Sequence, residues 1–156
     1  MRLILFDVDG TLINTGGAGG RAFSRAMEKL CGVSDPLKSV RLDGKTDHLI
    51  LREALAIAGR QNEPHLEVRL FQEYVSLLKI ELASSRSEYE VLPGVLDLLE
   101  RLEADSRFIL GLGTGNVEPG ARAKLEPGGL NRFFGFGGFG SDHLDRTELI
   151  KAAIER

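Results

Sequence analysis

The string Leu3-Ile4-Leu5-Phe6-Asp7-Val8-Asp9-Gly10-Thr11-Leu12 constrains this chain more than any other feature. A short apolar run closed by two carboxylates at i and i+2 reads as a buried strand with both acids at its carboxyl end. Open α/β sheets gather their ligands at that end. Strand alternation aims the two acids to the same side, Gly10 allows a sharp turn, and Thr11 offers a hydroxyl to fasten it. Two acids this close repel, so the site asks for a divalent cation or a shared proton. The plainer alternative is a strand running into an Asx-type turn whose acids cap loop amides. The complete string, in a strand-to-turn context, favours a site.

With these residues the N-terminus resembles the haloacid dehalogenase superfamily, in particular its phosphoglycolate phosphatase and β-phosphoglucomutase-like branch. The resemblance implies a Rossmann-like α/β parallel sheet with an inserted helical cap. It also implies Asp7 as nucleophile, Asp9 as general acid and base, and Mg²⁺ held by Asp7 and Asp9.

Two further segments fit it. Residues Arg107 to Gly113 read as a second buried strand, ending on Thr114-Gly115-Asn116 ahead of a helix that starts near Pro119. Gly115 permits close backbone approach, Asn116 can donate from its amide, and Pro119 suits a first helical turn. By resemblance Thr114 is the phosphoryl-binding hydroxyl. The spacing of Gly111, Gly113 and Gly115 does not make the dinucleotide fingerprint. The family's third motif is a cation in a later loop. Arg146 stands at the corresponding place, after the Gly- and Phe-rich stretch Gly135 to Gly140, which reads as a third strand. Lys124 is the rival, expected as a solvated charge on the preceding helix. The fourth motif, a strand ending in further Asp residues, would follow the last helix and is not found before Arg156. The expectation is that central strands are absent, that the first strand is an exposed edge, and that metal binding and activity suffer.

Residues 14–89 read as the cap, between core segments 1–13 and 90–156. Apolar positions at helical spacing predict helices over 21–30, 47–58 and 66–83, with Gly32 and Gly59 as stops. Within this part, Asp43-Gly44-Lys45-Thr46-Asp47 resembles substrate-facing cap loops, which makes Lys45 and Thr46 candidate substrate contacts along with Gly10, Gly115 and Asn116. Equally, Thr46 and Asp47 are good N-cap residues.

The net charge of −3 gives no case for nucleic acid or an anionic membrane, and no apolar run approaches the roughly 20 residues of a membrane span. A single cysteine, Cys31, forms no internal disulfide, which fits a reducing cytoplasm. The expected function is Mg²⁺-dependent hydrolysis of a small phosphorylated metabolite. A phosphohexose mutase of the same family, and a non-catalytic phosphate-binding or interaction protein, are the alternatives. Oligomeric state is not legible.

Overall fold

A computed structural model describes residues 1–34, 36–40, 44–61 and 63–156. Asp43 of the loop quoted above lies outside the described residues. Among them, three parallel strands form the main sheet: β1 (Arg2–Phe6), β4 (Phe108–Thr114) and β5 (Gly137–Phe139), in the order β1-β4-β5. Arg2 to Phe6 pair with Phe108 to Leu112, and Leu112 to Thr114 pair with Gly137 to Phe139. The three strands therefore end together, at one edge of the sheet.

β4 is buried from Leu110 to Thr114 because it has a neighbour on each side. β1 is half-exposed at the edge of this sheet, the place expected above for the first strand. It pairs with β4 alone among the described residues, and Leu3 keeps 38% of its surface. Helices α4 (Val95–Glu103), α5 (Glu118–Leu125) and α6 (Arg146–Glu155) flank this sheet. Leu99, Leu112, Leu125, Leu130, Phe134 and Phe139 fill the space between them at 1% exposure or less. Side chains of this size each contribute about 1.5–3 kcal/mol when fully buried.

Between residues 15 and 89 the described chain makes three α-helices, α1 (Ala18–Cys31), α2 (Asp47–Ile57) and α3 (Pro64–Ser84). They match the expected ones within a few residues. α1 stops where predicted: Gly32, at φ 68°, donates to Glu28 O at 2.9 Å, a left-handed conformation that suits a residue without Cβ. Met27, Leu51, Leu70, Tyr74 and Leu78 build a second apolar cluster, which also takes in Val117 and Ala123 beside and on α5. The helices are entered and left through a two-stranded antiparallel stem, β2 (Ile13–Asn14) paired with β3 (Glu90–Val91). Arg21 ties the two connections together. It donates to Gly16 O at 2.6 Å, to Ser85 Oγ at 2.8 Å and to Glu81 Oε2 at 2.9 Å. No helix among the described residues is long and apolar enough to cross a membrane.

Candidate active site

Asp7 leaves β1 one residue beyond the Phe6–Leu112 pair. Its Oδ1 accepts from Val8 N at 2.8 Å, and its Oδ2 accepts from Arg146 Nη2 at 2.8 Å. Arg146 is brought there as the first residue of α6. Asp145 fixes that helix start by accepting from Thr147 N at 2.7 Å and Glu148 N at 3.3 Å, as an N-cap aspartate does. The guanidinium thus meets Asp7 through a charge-assisted hydrogen bond.

Asp9 stands on the turn that follows. Gly10 shapes it, with φ 72° and its N–H given to Ile13 O at 2.9 Å. Asp9 Oδ2 accepts from Asn116 Nδ2 at 2.8 Å and from Lys124 Nζ at 2.7 Å. Asn116 Nδ2 also donates to Thr114 Oγ1 at 2.8 Å, and its Oδ1 accepts from Lys124 Nζ at 2.6 Å. Asp7, Asp9, Thr114, Asn116 and Arg146 therefore gather at one end of the sheet. They line a cavity of about 350 Å³, whose opposite wall includes Phe23, Lys45 and Tyr74 of the helical part.

Lys124 was expected as a solvated charge, and the structure corrects this. Its side chain is 8% exposed. The inward stripe of α5 and its cap runs Val117, Gly120, Ala121, Lys124, Leu125, at spacings of three, four, seven and eight, and all five are buried. A lysine on a stripe of small and apolar residues is drawn inside when an anion waits there, and Asp9 is that anion. Burial acts to lower the ammonium's pKa, but Tyr74, Asp9 and Asp47 outweigh it and hold the group above the usual lysine range. Burial in turn pushes the Tyr74 phenol up. The sequence signal for Lys124 was its place on that stripe; for Tyr74, an aromatic on an amphipathic helix, there was none.

A family model described as Haloacid dehalogenase-like hydrolase matches residues 4–156. The chain belongs to this family. Comparison with curated proteins found no match. Among solved structures, CbbY from Rhodobacter sphaeroides in complex with phosphate is 21% identical, with TM-score 0.67 over 98% of this chain and 71% of that one. A variant of that protein was solved in complex with xylulose-(1,5)bisphosphate. A predicted phosphatase from Clostridium acetobutylicum is 19% identical, with TM-score 0.67 over 99% and 69%. A predicted phosphoglycolate phosphatase from Haemophilus somnus 129pt is 18% identical, with TM-score 0.61 over 93% and 65%. These likenesses show a shared haloacid dehalogenase-like fold, and this chain spans roughly two thirds of each relative's length.

The remaining candidate contacts of this hydrolase divide. Gly115 sits in the cavity wall, where an added Cβ would lie 2.6 Å from Lys45 O. Lys45 also lines the cavity, with Nζ 2.6 Å from both carboxylate oxygens of Glu53. Thr46 is fully buried and serves as N-cap of α2, accepting from Leu49 N at 3.3 Å and donating to Leu144 O at 3.3 Å. Its hydroxyl is spent on structure rather than turned to the cavity. Gly10 likewise shapes the turn and is not in the cavity wall. Asp47, not singled out as a site residue, is in that wall, and burial pushes its carboxyl up against the pull of Lys124.

No group of three or more His, Cys, Asp or Glu gathers as a metal site among the described residues. Asp7 and Asp9 still suit Mg²⁺, which takes one or two carboxylates and completes its shell with phosphate and water.

Proposed function

We propose that this chain is a Mg²⁺-dependent phosphomonoester hydrolase of a small phosphorylated metabolite, acting through an aspartyl-phosphate on Asp7. The observation that carries it is the pairing of Asp7 with Arg146 and of Asp9 with Lys124, at 2.8 and 2.7 Å, over one cavity beside Thr114.

The phosphoryl group is received by Thr114 Oγ1 and Asn116, with Arg146 offsetting its charge beside the nucleophile. A carboxylate oxygen of Asp7 attacks phosphorus, the bond to the leaving oxygen breaks, and Asp9, protonated on its free oxygen at the start of the cycle, gives that proton to the leaving oxygen. Asp9 then takes a proton from a water whose oxygen attacks phosphorus. Inorganic phosphate leaves and the Asp7 carboxylate is restored. Mg²⁺ held by Asp7 and Asp9 would supply charge neutralisation for the approaching anions. Residues 14–89 act as a cap that excludes water, hinged at the β2–β3 stem. The phosphate and xylulose-(1,5)bisphosphate held by the Rhodobacter protein agree with a phosphorylated small molecule.

Phosphate release from a panel of sugar phosphates, phosphoglycolate and p-nitrophenyl phosphate, with and without Mg²⁺, tests the reading. Release that needs Mg²⁺ and vanishes in Asp7→Asn is expected. An intact chain that neither releases phosphate from any of these compounds nor binds inorganic phosphate would overturn it.

A further inference from the structure

The first residue of α2 grips the loop that follows β4. Asp47 N donates to Gly115 O at 2.8 Å, and Asp47 Oδ2 accepts from Val117 N at 2.9 Å. The opposite edges of the same two peptides are held from the sheet side. Asn116 N donates to Thr114 Oγ1 at 3.3 Å, and Asn116 O accepts from Gly140 N at 2.8 Å. A planar trans peptide carries its C=O and N–H on opposite sides. Pulling Gly115 O toward Asp47 therefore turns the Asn116 N–H toward Thr114, and pulling Val117 N–H toward Asp47 turns Asn116 O toward Gly140.

There is no slack in this contact. The gap that Gly115 leaves to Lys45 O is too small for a methyl group, and a Cβ on Gly140 would overlap Gly115 O. We infer that Asp47 is a positioning residue: through it, the helical part sets the orientation of the loop that receives the phosphoryl group. The inference rests on the reading of that loop given under Proposed function. Asp47 acts on the substrate only through Gly115, Asn116 and Val117. The phosphoryl site is then complete only while α2 is seated on the loop.

The test uses the intact chain with Asp47→Ala and Asp47→Asn, reading the Kd of inorganic phosphate in Mg²⁺ by calorimetry, kcat and KM for p-nitrophenyl phosphate, and thermal unfolding. Asn keeps an acceptor for Val117 N–H and loses the charge, while Ala loses both. Asp47→Ala is expected to weaken phosphate binding by about tenfold to a hundredfold, the scale of one hydrogen bond to a charged group, and to lower kcat alongside. Asp47→Asn is expected to stay within about fivefold of the wild type. Should Asp47→Ala not fold, Val117→Pro removes the donor instead, since Val117 has φ −63°, which a proline ring accepts. It should weaken phosphate binding to the same degree. Wild-type phosphate affinity in a folded Asp47→Ala or Val117→Pro overturns the inference alone, as does an Asn variant as damaged as Ala. Absence of phosphate binding by the wild type overturns it together with the proposed function.

Discussion

Asp7 and Asp9 lie two residues apart, yet their surroundings divide their tasks. Asp7 meets an arginine half-exposed at a helix start, and Asp9 meets a buried lysine and an amide. An amide in place of the nucleophile cannot attack phosphorus, so Asp7→Asn should end turnover while calorimetry still records phosphate binding. Asp9→Asn should slow steady-state turnover by about 10²–10⁴-fold, the usual scale of general acid–base catalysis. Equal, small losses in both would remove the division of roles. The two acids and Thr114 stood out as the ends of strongly apolar runs, Arg146 only through the resemblance to the family's third motif, and the structure lines one cavity with all four. Lys124 was not legible in this way. Its solvated reading treated helix position as surface, whereas the whole stripe from Val117 to Leu125 is covered, by the helical part on one side and the turn at Asp9 on the other.

Elements were easiest to read where their stops are chemical. Gly32 ends α1 and Thr46 opens α2, and each acts as its residue type predicts. Less legible was the clamp between α1 and α3, because Arg21 and Glu81 are 60 residues apart and meet only in the fold. Hydrogen bonds from Arg21, then Arg25, hold the Glu81 carboxyl below its ordinary value of 4.5. Its folded-state value is therefore depressed. The unfolded chain binds the proton more readily, and the contribution is present above 4.5 and lost as pH falls through and below that value. Denaturant midpoints should drop more steeply from neutral pH into the acid range in the wild type than in Glu81→Gln. Parallel curves would show that the clamp does not contribute through its charge. Gly140→Ala tests another element junction, since its Cβ would overlap backbone that cannot swing aside. It should lower the unfolding temperature, and phosphate affinity with it.

At the scale of the molecule, the two apolar clusters share α5. Ala123 belongs to the cluster of the helical part, while Ala121 and Leu125 belong to that of the sheet. The cavity has the same double parentage, with Asp7 and Thr114 from the sheet and Phe23 and Tyr74 from the helices. Leu78 and Leu99 are each fully buried, one in each cluster. Leu78→Ala and Leu99→Ala should each cost about 2–5 kcal/mol. Because α5 is common ground, either change should lower one cooperative transition in a calorimetric scan rather than split it. A ligand bound between the clusters adds to both at once. At a hundred times its Kd it stabilises the native state by about 2.7 kcal/mol, so phosphate with Mg²⁺ should move that single transition upward in the wild type and less in Asp47→Ala. Two transitions, with only the sheet's responding to phosphate, would mean that the helices fold as an independent body and contribute nothing to the bound state.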